Sequence, residues 1–299
     1  MMRLNRKKVD DVTCLFSYSY TAKRPFEAAK AAGWKTVLGQ IDPGPVEERL
    51  VRGLPGGSAE PRIPEPYWAA WRQECLLADH ILVNSGWSKS ALVQDGVAED
   101  KISIVPLAYE APVGAAHFQR SYPPVFSRDR PLRVLFLGQA NRRKGMTVVL
   151  DAMSALRNAP IELWIVGAVS VDVPQEVRTQ RNIRWIGPVA RRATEVFYQA
   201  ADVFLFPTFS DGFGLTQLEA QAWKLPIIAS RFCGDVVRPG VNGLLLEEVT
   251  VDNITAAVSS CLNRPDDLAA MSARSGIEER FTVKALSAEL ARLTACSKT

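Results

Sequence analysis

Only two histidines occur in the 299 residues, His80 and His117, and they lie far apart. Neither belongs to a metal-binding motif, so zinc chemistry is not expected. Cys14, Cys75, Cys233, Cys261 and Cys296 are scattered, odd in number and without metal-ligand spacing. They read as reduced, mostly packed thiols of a cytoplasmic protein rather than a disulfide framework. No apolar run approaches the about 18 residues that a membrane-spanning helix needs. The N-terminal charges are not followed by an apolar stretch, so no secretory signal is expected. Charge of one sign is also scarce. Lys and Arg total 36 against 32 Asp and Glu, a formal net charge of +4. That mild excess suits anionic ligands but lacks the clustered basic face of a nucleic-acid-binding domain. The one local cluster, "RLNRKK" at 3–8, reads first as a solvated chain end. With no amphipathic helix beside it, attraction to an anionic membrane surface is the weaker reading.

What is present is a globular composition, 47% hydrophobic and 23% charged, with enough length for two domains. Short apolar runs alternate with helical patterns. Strands are expected at 12–17, 35–40, 80–85 and 101–106, with helices at 25–33, 67–79 and 87–96 between them. The stretch 109–131 is rich in proline and turn residues and reads as a linker. Alternation then resumes, with strands at 133–138, 161–167, 183–187, 202–207, 226–230 and 243–247. Helices are expected at about 145–157, 191–200, 215–223 and 252–263, and two more in 265–296. Fully apolar strands separated by helices predict parallel sheets covered on both faces. The fold class expected is therefore α/β, two Rossmann-like doubly wound domains, at 1–125 and 126–299, with a cleft between them. Ligands of such sheets sit at the carboxyl ends of the strands. In the second domain those are the loops 138–145, 167–174 and 207–215.

Two of these loops carry chemistry. In "PTFSDGFGL" (207–215), Gly212 and Gly214 permit close backbone approach, and the first-turn amides near Gly214, Leu215 and Thr216 can meet an anion. Asp211 precedes them and Glu219 follows about one helical turn later. Two acids so placed could grip two hydroxyl-bearing parts of one ligand, and a sugar and a ribose joined by a diphosphate would suit them. The plainer alternative makes Asp211 a helix cap and Glu219 a solvated helix face. In "FLGQANRRKGMTVVLDA" (136–152), Arg142, Arg143 and Lys144 crowd a helix start, where the macrodipole disfavours cations. A bound phosphate would compensate them; a solvated basic turn is the alternative.

Together these stretches resemble the nucleotide-sugar domain of GT-B glycosyltransferases, in particular the retaining family 4, the glycosyl transferases group 1. The family's acid, seven residues and Glu appear as Asp211 to Glu219, through Gly212-Phe213-Gly214-Leu215. Its phosphate loop matches Gly138 to Gly145, and "VNGLLL" (241–246) resembles its Asn-Gly turn. The likeness runs from about 132 to 290 and, more weakly, over the end of the first domain. It implies that Glu219 binds the ribose, and that Lys144, with Arg143 or Arg142, holds the diphosphate. The loop Gly212 to Leu215 would cradle sugar and phosphate, Gly138, Gln139 and Thr216 would contact the donor, and Asp211 would face the donor sugar. It further implies a nucleoside-diphosphate-sugar donor, retention of configuration, and no metal or other cofactor. The acceptor would be a glycan, a lipid-linked sugar or a small molecule. A role in polysaccharide biosynthesis is expected, at a cytoplasmic location that leaves room for peripheral membrane association and for a homodimer or partner chain.

The departures are Gln139 in place of Arg, Asp211 in place of Glu, and Lys224 in place of a small Gly. Gln40 and Asp42 stand where the family's first domain carries a His. The family's opening strand and glycine-rich loop have no counterpart, so the first domain is expected to be incomplete by about three strands, leaving "VTCLFS" as an apolar edge. A nucleotide-sugar-binding module that needs a partner is therefore a second reading, and a GT-B-like epimerase a third. Trp68 and Trp71 read as core, with stacking on sugar as the alternative. "LPGG" (54–57) reads as a flexible loop or an acceptor lid.

Overall fold

The computed structural model describes residues 14–57 and 61–294; the basic cluster at 3–8, the first two residues of the strand expected at 12–17, and Cys296 lie outside them. The described chain builds two parallel sheets. The first runs in the order β1-β2-β3-β4: β1 (Cys14–Tyr18), β2 (Lys35–Gly39), β3 (His80–Val83) and β4 (Ile102–Ile104). Its connecting helices are α1 (Lys23–Ala31), α2 (Pro45–Gly53), α3 (Glu65–Leu77) and α4 (Gly86–Gln94). Among the described residues β1 is an edge strand, and its Phe16 and Tyr18 are exposed, edge to face at 5.2 Å.

The second sheet has the order β10-β9-β8-β5-β6-β7: β5 (Leu132–Leu137), β6 (Ile161–Val166), β7 (Ile183–Gly187), β8 (Val203–Phe206), β9 (Ile227–Ser230) and β10 (Gly243–Leu246). The reversal between β5 and β8 makes a crevice at their carboxyl ends. The helices are α5 (Met146–Ala155), α6 (Gln175–Arg178), α7 (Glu195–Ala200), α8 (Thr216–Ala222), α9 (Val251–Asn263), α10 (Pro265–Ala273) and α11 (Val283–Thr294).

Alternating strand residues feed opposite faces, as period two requires. In the second sheet, Val134, Phe136, Leu163, Ile165 and Leu205 join one core, with Met146, Val149, Ile254 and Val258 from helices. Leu135, Phe204, Phe206, Ile227 and Ala229 join the other, with Tyr198 and Leu218. In the first sheet, Leu38, Ile81, Val83 and Ile102 pack with Phe26, Trp71 and Leu92. Its opposite face, Val37, Leu82 and Val105, is covered by Leu286, Leu290 and Leu293 of α11. The last helix therefore returns to the first sheet instead of extending the second. These leucines are only partly buried, so each contributes less than the about 1.5–3 kcal/mol of a fully buried leucine.

The linker is held by Arg120. Its guanidinium donates to Tyr198 O at 2.7 Å, Trp223 O at 2.8 Å, Gln199 O at 3.1 Å and Lys224 O at 3.3 Å, and also to Ala201 O. One cation thus satisfies carbonyls at the carboxyl ends of α7 and α8, where the helix dipoles are negative. Burial pushes its guanidinium down, but not out of the charged range. Lys224, standing where the resembling family has glycine, adopts φ 55° and donates from Nζ to Ser275 O at 3.0 Å.

Candidate donor-binding cleft

A cavity of about 850 Å³ opens between the two sheets at their carboxyl ends. From the second sheet it is lined by Gly138, Gln139, Arg143, Lys144, Asp211, Phe213, Gly214, Leu215 and Thr216. The loops after β5 and β8 thus bring most of the sequence-predicted residues to one place. The opposite wall is mostly apolar, Phe16, Tyr18, Leu82 and Val105 of the first domain with Leu286 and Leu290 of α11, interrupted by Gln40 and Asn84.

Asp211 is both a turn residue and half of an ion pair. Its Oδ1 accepts from Phe213 N at 3.1 Å, which folds the Gly-Phe-Gly loop. Its Oδ2 contacts Lys144 Nζ and lies 3.5 Å from Arg143 Nη1. Gly214 takes φ +81°, and a Cβ there would lie 2.5 Å from the Phe206 ring, so only glycine fits. Lys144 Nζ also lies 4.5 Å from the centroid of Phe206. Burial, and then the neighbouring Arg143, push the Lys144 ammonium down to about 7. The Asp211 carboxylate in contact favours its charged form, and an arriving anion would do the same. Arg143 is set by its backbone neighbours as well, donating to Ser210 O at 2.9 Å.

Three predicted residues are placed elsewhere. Gly212 does not line the cavity, because it lies against Ile41 O of the first domain. Arg142 does not line the cavity; its guanidinium lies against Gly56 of the first domain. Glu219 faces an adjoining cavity of about 390 Å³, with Tyr109, Arg191, Arg192 and Tyr198, so the two acids do not share one pocket. Tyr198 Oη donates to Glu219 Oε2 at 2.8 Å, and Arg191 Nη2 is 3.9 Å from Oε1. Burial first and the adjacent Glu219 second push the Tyr198 phenol well up, so it stays a donor. Leu215 and Thr216, at the start of α8, line the larger cavity and Glu219, one turn on, the smaller; the two share no described lining residue.

Composition and periodicity gave no hint of Glu47. It lies in the first turn of α2, and its Oε2 accepts from Ser210 Oγ at 2.7 Å and lies 3.6 Å from Arg143 Nη1. Burial pushes its carboxyl up, against the opposing pull of Arg143 and Ser210. The signals for α2 were Pro45 at its start, two glutamates in its first turn and Arg52 in its last. Around Glu47 the domains interlock. Trp87 Nε1 donates to Ser210 Oγ at 3.1 Å, Ser88 Oγ to Gly212 O at 3.3 Å, and Gly86 N to Asp235 Oδ2 at 3.1 Å. A Cβ on Gly212 would meet Ile41 O at 2.0 Å, so the acidic loop lies directly on the first domain.

Gln40 and Asp42, at the position of the family's His, form a part-buried network. Gln40 Nε2 donates to Asp42 O at 2.9 Å, Trp71 Nε1 donates to Gln40 Oε1 at 2.9 Å, and Tyr20 Oη donates to Asp42 Oδ1 at 2.5 Å. Trp71 is core, as is most of Trp68. Asn242 of the Asn-Gly turn is buried and ties its loop to Gln221 Oε1 at 3.1 Å. Among the described residues, no group of three or more His, Cys, Asp or Glu is placed to hold a metal ion. Among the described residues, no helix is long and apolar enough to cross a membrane.

The fold and these loops have known counterparts. The chain superposes on the crystal structure of Anabaena Alr3699/HepE in complex with UDP with a TM-score of 0.71 at 16% identity, covering 94% of this chain and 78% of that one. Against sucrose-phosphate synthase from Thermosynechococcus elongatus the TM-score is 0.72 at 20% identity, covering 94% and 72%. In sequence it is 31% identical over 152 residues to a D-inositol 3-phosphate glycosyltransferase of Corynebacterium urealyticum, 46% of this chain and 36% of that protein. The chain spans between about a third and a half of the length of the curated relatives it matches. Both sheets thus have the GT-B arrangement, and residues 131–264, most of the second domain, match the family described as Glycosyl transferases group 1.

Proposed function

We propose that this chain is a glycosyltransferase that moves a sugar from a nucleoside-diphosphate sugar to an acceptor, with retention at the anomeric carbon and without a metal. The observation that carries this reading is the pairing of Lys144 and Arg143 with Asp211 at the mouth of the cleft. Two largely buried cations from one loop face a carboxylate from the other. A diphosphate entering there would take the place of that carboxylate on Lys144. As the glycosidic bond breaks, negative charge grows on the departing diphosphate, and fixed cations in a dry site stabilise it. The Phe213–Thr216 loop, with Gly138 and Gln139 also lining the cavity, would hold sugar and phosphates through short-range contacts. Asp211, released from Lys144, would face the sugar hydroxyls, and Glu219, aimed by Tyr198, would accept from the ribose. Alr3699/HepE has been crystallised with UDP and UDP-glucose, which supports uridine donors as the first to test. The acceptor is a glycan, a lipid-linked sugar or a small molecule, met at the cytoplasmic side of the membrane or in the cytoplasm.

The test is a metal-free melting screen against UDP-, GDP- and ADP-sugars, followed by an assay of nucleotide release. A specific donor raises the melting temperature by mass action and is turned over. A second reading has one observation behind it. Gln139 lines the cleft where the family carries a second cation, which fits a module that binds the donor without turning it over. Binding with no release of nucleotide under any acceptor supports that reading, and no melting shift with any donor overturns both.

A further inference from the structure

A second cavity, of about 250 Å³, lies against the donor cleft on the first-domain side. Arg143 lines both cavities, and its Nη1 faces both Asp211 and Glu47. Its other walls are Tyr20, Asp42, Glu47, Tyr67 and Trp68. Drug-sized ligands fill about 300–1,000 Å³, so this space is scaled to something smaller, such as one sugar ring. Its surfaces have the two properties a pyranose needs. The Tyr20 and Tyr67 rings stack at 5.2 Å and an interplanar angle of 20°, with Trp68 edge-on to Tyr20 at 6.2 Å. Aromatic faces accept the apolar C–H face of a sugar. The carboxylates accept from its hydroxyls, but they are not equally available. Asp42 Oδ1 is taken by Tyr20 Oη, Gln40 Nε2 and Gly44 N, which leaves Oδ2 without a donor among the described residues. Glu48, at the cavity edge, is taken by Trp68 Nε1 at 2.6 Å and Ile63 N at 2.7 Å. Glu47 accepts only from Ser210, at Oε2; among the described residues its Oε1 has no hydrogen-bond donor.

Building on the donor reading above, we propose that this cavity is the acceptor subsite. It takes a neutral pyranose, with Glu47 holding the hydroxyl nearest the donor. Three carboxylates against Arg52 and Arg143 leave the cavity net acidic, which disfavours phosphorylated or carboxylated sugars. The position beside Arg143 puts the acceptor next to Asp211, where the transferred sugar is expected.

The experiment is saturation-transfer NMR of the full chain with methyl α-glucoside, methyl α-mannoside and methyl α-galactoside as probes, and glucose 6-phosphate as the anionic control. At least one neutral glycoside is expected to receive saturation on its ring protons, with and without saturating UDP-glucose. Tyr67→Ala is expected to reduce that signal at least fivefold, and Glu47→Gln to raise the apparent Kd for the glycoside at least threefold. Tyr67→Ala should keep the native melting temperature shift with UDP, which shows that chain and donor site are intact. Tyr67→Phe, which keeps the ring, should behave as the native chain. The proposal is overturned if no neutral glycoside receives saturation, if UDP-glucose displaces the signal, if glucose 6-phosphate binds better, or if Tyr67→Ala leaves the signal unchanged. A native chain that shows no melting shift with UDP sinks the uridine-donor reading alone, since glycoside binding is measured without donor.

Discussion

Tyr198 Oη donates to Glu219 Oε2 at 2.8 Å from within the core, where the tyrosine is 1% exposed. A buried phenol thus fixes one carboxylate oxygen of a helix residue and leaves the other toward the cavity that holds Arg191. Glu219→Ala is therefore expected to weaken nucleotide binding by about 1.5–3 kcal/mol, the worth of a charge-assisted hydrogen bond. Tyr198→Phe keeps the carboxylate but frees its rotamer, and is expected to cost less, about 0.5–1.5 kcal/mol. Calorimetric titration with UDP ranks the two; unchanged affinity in Glu219→Ala would remove the ribose role.

Lys144 gives the cleft a pH dependence. Its free ammonium is pushed down to about 7 by burial and Arg143. A bound diphosphate favours the charged form, so the bound pKa is the higher of the two. Donor affinity is then flat below about pH 7 and falls up to about tenfold per pH unit above it, until the bound pKa is reached. Lys144→Arg, charged throughout, should flatten the profile. Equal native affinities at about pH 6 and pH 9 would contradict this assignment.

Gly212 presses on the first domain through Ile41 O. Gly212→Ala forces a backbone shift and is expected to destabilise the chain by about 1–3 kcal/mol, as overpacking does. Because Ser88 donates to the same residue's carbonyl, the strain falls on the joint between the domains. Limited proteolysis at the linker around 109–131 should quicken in the variant. Unchanged cleavage and unchanged melting would show that the joint gives way without cost.

Arg120 joins two helix ends and the linker through one guanidinium. Arg120→Ala leaves several carbonyls without a donor, and a loss of about 2–4 kcal/mol is expected. Urea unfolding measures it as a shift of the midpoint at constant slope. A shift under about 0.5 kcal/mol would mean that water replaces the guanidinium.

The central strands of the second sheet, such as β8 and β9, were legible as apolar runs, because a parallel strand covered on both faces must be apolar along its length; the edge strand β7 instead alternates, with Arg184 and Ile186 exposed. The loops 138–145 and 207–215 were legible for a local reason too: both belong to strand–turn–helix units whose glycines and charges are neighbours in sequence. α2 was hidden by "DPGP", which reads as turn although Pro45 in fact begins the helix. What reading along the chain did not give is which distant groups meet. Glu47 and Ser210 are 163 positions apart, and their contact depends on the docking of the two domains. Glu219 was expected in the pocket of Asp211, but Tyr198, from α7, turns it into the neighbouring cavity. The return of α11 to the first sheet follows from Val37, Leu82 and Val105 needing cover. Local periodicity therefore determined the elements and the two reactive loops. Only the tertiary structure decided which carboxylate faces which cation, because that rests on side chains brought together by burial from separate domains.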